Sequence, residues 1–118
     1  MPGRLTTHVL DTARGVPGAG IAFELHRLEG GQRVHVASGR TNGNGRTDAP
    51  LLEGEAMRAG RYELVFAAGA YFRAHGMELS DPPFLDEIVL RFAVADPQAH
   101  YHVPLLASPW SYATYRGS

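Results

Sequence analysis

The 118-residue chain contains no cysteine, which excludes disulfides, thiolate nucleophiles and Cys-ligated zinc. It has no run of consecutive basic residues and a formal net charge of -1, so it carries neither a nucleic-acid footprint nor a polybasic membrane patch. No apolar stretch approaches bilayer-spanning length, and the opening "MPGRLTTHVLDT" lacks the apolar region of a secretory signal. What remains is an ordinary globular composition, 44% hydrophobic, and the expectation of a single cytoplasmic domain over residues 1–118.

Short segments of period-two alternation fill most of the chain. "GIAFELHRL" places Ile21, Phe23 and Leu25 on one face, with Ala22, Glu24 and His26 on the other. "QRVHVAS" sets Val34 and Val36 against Arg33 and His35, and Glu29-Gly30-Gly31 between the two segments reads as a hairpin turn. "RYELVF" alternates Tyr62, Leu64 and Phe66 with Arg61, Glu63 and Val65, and "EIVLRFAV" puts Ile88, Leu90, Phe92 and Val94 in phase. Such alternation between turn signals predicts an all-β antiparallel sandwich. "AAGAYFRAHG" departs from it, with Ala67, Ala70, Tyr71 and Ala74 spaced at three and four residues before Gly76. That spacing predicts one short helix with a glycine C-cap, weakened at its first turn by Gly69.

The polar residues that this pattern leaves over are few. In "LTTHVLD", alternation puts His8 in phase with Thr6 and Leu10, opposite Thr7 and Val9. In "HYHVPLL", Tyr101, Val103 and Leu105 suit a core face, and His100 and His102 share the other face with Pro104. Arg46 lies in "TNGNGRTDAP", where asparagine and glycine supply tight turning ahead of it. An H-x-H pair on a strand suits zinc, but no carboxylate or third histidine stands near in sequence. "TNGNGR" lacks the lysine and the strand–loop–helix context of a phosphate cradle. His26, His35 and His75 read as solvated and receive no role. On pattern alone, a binding module fits His8, Arg46 and His102 as well as an enzyme does.

The segments "HVLDTARGVPGAG", "GRTDAPLL", "GRYELVF", "GAYFRAHG" and "HYHVPLLASPWSYATYRGS" resemble the transthyretin-like family, and within it the 5-hydroxyisourate hydrolases. The terminal "YRGS" is the most specific mark. Departures at Asn44, Asp86 and Trp110 replace no residue tied to the chemistry. The resemblance implies a transthyretin-like (prealbumin-like) sandwich of two four-stranded sheets, with one short helix after the fifth strand. It also implies a homotetramer built as a dimer of dimers, and because Phe23, Leu64, Phe66 and Phe92 leave little interior room for a purine, the sites are expected to form between dimers.

The activity so implied is hydrolysis of 5-hydroxyisourate to 2-oxo-4-hydroxy-4-carboxy-5-ureidoimidazoline, a step of urate degradation in purine catabolism. Opening a cyclic amide with water needs a base, donors for the developing oxyanion, and groups that hold a planar ring. The resemblance assigns His8, Arg46, His102 and Ser118 to catalysis, and His8, Arg46, Tyr115 and Ser118 to substrate binding. His102 is the first choice as base with His8 as its partner, although sequence leaves open which of the two takes the proton. Arg46 supplies a planar, permanently charged pair of donors. "SYATYRGS" is expected to run as a strand to Ser118 and present its hydroxyl in the site. No metal or organic cofactor is implied. A non-enzymatic transthyretin-like carrier of a small ligand and a metal-dependent hydrolase are the alternative classes.

Overall fold

The computed structural model describes residues 2–117. In chain order its strands are β1 (Arg4–Thr6), β2 (Val9–Asp11), β3 (Val16–Pro17), β4 (Ala22–Glu29), β5 (Gln32–Arg40) and β6 (Leu52–Glu53). They continue with β7 (Gly60–Phe66), the helix α1 (Ala68–Ala74), β8 (Ile88–Val94), β9 (His100–His102), β10 (Leu105–Ala107) and β11 (Tyr112–Ala113).

One layer is an antiparallel sheet in the order β5-β4-β7-β8. Its hairpin turns through Gly30 and Gly31, whose φ values of +57° and +81° fit glycine. Phe23, Leu25, Tyr62, Leu64, Phe66, Ile88 and Leu90 all point into the core, as alternation predicts. Tyr62 also stacks on Phe92 at a centroid separation of 5.8 Å. The β4–β5 register shifts between Leu25 and His26, and the extra residue is Val36. Val36 and Ala37 both pack on the core, whereas Val34, beyond the bulge on an edge strand, is exposed.

The outer face of this sheet is held by charge. Glu63 is buried between two arginines, accepting hydrogen bonds from Arg33 at 2.7 Å and from Arg91 at 2.9 and 2.7 Å. Those bonds, led by Arg91, hold its carboxyl below the ordinary carboxylate range. His26, expected to be solvated, has its ring only 13% exposed, with Glu24 at 3.2 Å and His35 edge-on.

The second layer is built from β6-β1-β9 and β11-β10-β2-β3. Arg4 pairs with His100 and Val9 with Leu105, so the register is the same in both halves. β1 and β2 are therefore one strand interrupted at Thr7 and His8, and β9 and β10 one strand interrupted at Val103 and Pro104. Counted this way, five strands make up the layer, which is four positions wide because β3 and β6 lie on the same side of the β1–β2 strand, and α1 follows β7. The fold is the expected two-layer sandwich with one short helix, and its one parallel contact is that between the two interrupted strands.

α1 ends in a Schellman arrangement: Gly76 at φ +82° donates to the Arg73 carbonyl and Met77 N–H to that of Phe72. Gly69 is required by contact. A Cβ there would lie 2.8 Å from Pro83 and 2.9 Å from the Asp86 carboxylate. The helix is also clamped to the opposite layer through Asp11, whose carboxylate is buried. Asp11 accepts the Ala13 and Arg14 N–H groups at 3.0 Å, the Arg14 guanidinium at 2.9 Å and the Tyr71 hydroxyl at 2.8 Å. Burial opposes the Asp11 charge, but these bonds outweigh it and hold the carboxyl below its ordinary value.

Asp11→Ala leaves four donors short of a partner and is expected to cost about 2–4 kcal/mol in urea unfolding. Because the folded-state carboxyl titrates below its unfolded value, this stabilisation is present above that value and lost as pH falls through the folded one. Acid titration of wild-type stability checks the sign; a D11A variant as stable as wild type would remove the clamp from the account.

Candidate active site

The interruption in the second layer is where the polar residues gather. The main-chain ladder continues through it, with Val103 N–H on the Thr6 carbonyl and Leu105 N–H on that of His8, both at 2.9 Å. The buried Thr7 hydroxyl donates to the Val103 carbonyl at 2.7 Å. Tyr101, Val103 and Leu105 face the core as expected. Thr6, His8, His100 and His102 are consequently displayed on the face away from it, half-buried.

Arg46 reaches the same place from a turn. The Asn42 side-chain oxygen accepts the N–H groups of Asn44 at 2.9 Å and Arg46 at 3.1 Å, and Asn42 N–H closes on the Arg46 carbonyl at 2.7 Å. Gly45 lies against β2, its carbonyl accepting Val9 N–H at 2.8 Å. With φ at +75°, and a would-be Cβ only 2.4 Å from the Val9 carbonyl, no other residue fits there. The result is a bridge pairing His8 with Arg46. A depression of about 230 Å³ beside it is lined by Thr6 and Arg46, among others.

The C-terminal segment approaches from the other side. β11 ends at Ala113, and the Thr114 hydroxyl turns to donate to the Pro104 carbonyl at 2.7 Å. Pairing resumes at Gly117, whose N–H donates to the His102 carbonyl at 2.7 Å. The expected continuous strand is broken here because Pro104 has no N–H to offer. A Cβ on Gly117 would sit 2.8 Å from Cδ2 of the His102 ring. Arg116 places its guanidinium 4.2 Å above the Tyr101 ring. Tyr115 is exposed and lines a cleft against β8, apart from the two histidines. Ser118 lies outside the described residues.

Of the sequence-predicted site residues, His8, Arg46 and His102 come together. Sequence reasoning had put Thr6 in phase with His8 but gave it no task. In the fold its hydroxyl lies 2.8 Å from His102 Nδ1 and 2.9 Å from His100 Nε2. Only knowledge of the parallel pairing would have shown that contact. Both His8 and His102 titrate below the ordinary imidazole value. Burial is the leading cause for each, followed by the positive charge of Arg46; for His102, the His100 and His8 rings add to it. The two rings are thus held neutral near pH 7, able to accept a proton, beside a fixed cation able to bind oxygen. Among the described residues, no group of three histidine or carboxylate side chains is arranged to hold a metal.

A β-sandwich carrying two neutral histidines and an arginine on one open sheet face is built for proton transfer to and from a small polar ligand. Residues 5–117 match the HIUase/Transthyretin family, and the chain belongs to that family. It is 62% identical over 116 residues to a protein of Ralstonia nicotianae named 5-hydroxyisourate hydrolase, a match spanning 98% of this chain and 99% of that one. The Klebsiella pneumoniae 5-hydroxyisourate hydrolase structure superposes with a TM-score of 0.81 at 34% identity, covering 98% of this chain and 99% of that one. The crystal structure of (S)-allantoin synthase matches with a TM-score of 0.94 at 47% identity; 99% of this chain is covered, and it spans 44% of that longer one.

The Gly117 contact yields a prediction. Gly117→Ala should push the His102 ring off its place while leaving the sandwich core untouched, so activity falls at least tenfold with little change in melting temperature. Full activity in a G117A variant would show that the ring does not depend on this contact.

Proposed function

We propose that the chain hydrolyses 5-hydroxyisourate to 2-oxo-4-hydroxy-4-carboxy-5-ureidoimidazoline in urate degradation, as a hydroxyisourate hydrolase. The observation that carries the reading is the convergence of His8, Arg46 and His102, from three separate segments, on one face of a chain whose relatives bear that name. His102, neutral and held at Nδ1 by Thr6, takes the proton of the attacking water. His8 orients that water or passes its proton on. Arg46 donates to the ring carbonyls and meets the negative charge that develops as the amide carbonyl becomes tetrahedral. Ser118 would add a hydroxyl contact, and Tyr115 a wall from a neighbouring subunit.

On a single chain this face is a half-buried sheet surface beside a depression lined by Thr6 and Arg46. The interior offers no alternative, being filled by Phe23, Leu64 and Phe66. The reading therefore includes a second copy covering the site within a homotetramer of two dimers, in the cytoplasm. No helix among the described residues is long and apolar enough to cross a membrane.

Ultraviolet monitoring of freshly generated 5-hydroxyisourate tests the activity; decay at the spontaneous rate would refute it and favour a non-enzymatic ligand carrier. His102→Ala and Arg46→Ala should each lower kcat/KM by roughly a hundred- to ten-thousand-fold in folded protein. Since the histidines must be neutral to act and titrate below the usual 6.5, kcat/KM should stay level above neutrality and fall only below pH 6.5. Dilution or an interface change that yields dimers should abolish activity, and a fully active monomer would refute the shared site.

A further inference from the structure

We propose that Thr6 is a positioning residue that sets the tautomer of His102, with His100 as the acceptor that anchors the Thr6 hydroxyl; the proposal rests on the hydrolytic reading of His102. The observation is a single hydroxyl shared between two imidazoles, 2.8 Å from His102 Nδ1 and 2.9 Å from His100 Nε2. The parallel register brings all three together, because Thr6 stands directly beside His102 and Arg4 beside His100.

A hydroxyl has one hydrogen to donate and two lone pairs. If Thr6 donates to His102 Nδ1, the neutral ring carries its proton on Nε2. With Nδ1 occupied, neither nitrogen is then free to take a proton from water. If Thr6 instead donates to His100 Nε2, it accepts from His102 Nδ1–H, and His102 Nε2 keeps its lone pair. A third arrangement, with both rings donating, leaves the hydroxyl hydrogen without a partner in a half-buried position.

Only the second arrangement satisfies all three groups and leaves a base. It also survives turnover unchanged, because His102 retains Nδ1–H on Thr6 when Nε2 accepts the proton. The first would require the hydroxyl to rotate in every cycle. His100 matters here through its Nε2 lone pair, which draws the Thr6 hydrogen away from His102. Which ring nitrogen carries the proton is set by the bond that the other one makes. A threonine–histidine pair thus does here what a buried carboxylate does for the histidine of a catalytic triad. Unlike a carboxylate, it adds no negative charge, so the neutral form of His102 is kept beside Arg46.

The test combines a spectrum with kinetics. Nitrogen-15 correlation spectra, with His102 assigned by a His102→Asn variant, should show wild-type His102 as the Nδ1–H tautomer. Thr6→Val keeps the β-branched shape and the main-chain bonds but removes the hydroxyl. It should lose the Nδ1–H tautomer, and kcat should fall roughly ten- to hundredfold with KM within about twofold. Thr6→Ser restores the hydroxyl and should recover the tautomer and most of kcat. A wild-type His102 carrying its proton on Nε2 would overturn the proposal without any variant. So would a folded T6V with wild-type kcat, or a T6S as slow as T6V. The spectrum reads the tautomer whether or not the protein turns over substrate, so failure of the hydrolytic reading and failure of this one are separate results.

Discussion

The pairing of the N-terminal strand with the strand of residues 100–107 fixes everything that matters at the site. It joins segments almost a hundred residues apart, in parallel, with one register on both sides of an interruption. A slip of the N-terminal strand by one residue would turn Thr6 and His8 inward and Leu5, Thr7 and Val9 outward. The burial of Leu5, Val9, Tyr101 and Leu105 makes that slip prohibitive, and the Thr7–Val103 bond pins the point where the slip would start. The face that carries the histidines is thus positioned by the core behind it.

Two further segments are then tied to that ladder through glycine. Gly45 and Gly117 each bring main chain close to a histidine-bearing strand, and each leaves no room for a Cβ. The first delivers a cation to His8, and the second closes against the ring of His102. Among the described residues, no carboxylate is bonded to Arg46, His8, His100 or His102, which cluster on this face. Burial disfavours the charged form of either imidazole, and the positive charge of Arg46 adds to that penalty. In the proposed hydrolysis, an oxyanion developing beside Arg46 would meet that positive charge.

Strand faces were legible wherever alternation was clean, as for Phe23, Leu25, Tyr62, Leu64, Phe66 and the histidine pair at 100 and 102. The helix was legible too, and the glycine suspected of weakening it proves necessary, because Gly69 packs against Pro83 and Asp86. Illegible features depend on pairing partners that no local pattern encodes. The bulge at Val36 leaves Val34 exposed, and His26 becomes enclosed because Glu24 and His35 close around it. The same limit applied at the site. Period two showed that Thr6 shares a face with His8, but the task of Thr6 appears only once residue 102 is known to lie beside it. Arg116 is a similar case, since its place over Tyr101 follows from how the last segment crosses β9.

The filled interior of the sandwich also explains where function can reside in such a fold. Aromatic and aliphatic side chains such as Tyr62, Phe66 and Phe72 fill the interior, whereas the polar residues left over stand on the sheet face. Residues on that face contribute little to the core, and they can differ between relatives without disturbing the architecture. Family membership alone therefore does not separate a carrier from a hydrolase. What separates them is whether the outward positions hold groups that can accept a proton and stabilise an oxyanion. Here those positions hold neutral imidazoles at 8 and 102, a guanidinium at 46 aimed by an Asn42 turn, and a hydroxyl at 6 bridging two rings. A carrier has no use for a histidine whose burial and cationic neighbour both keep it unprotonated. The combination favours a base that is ready at neutral pH, and that supports the proposed hydrolytic reading of this face.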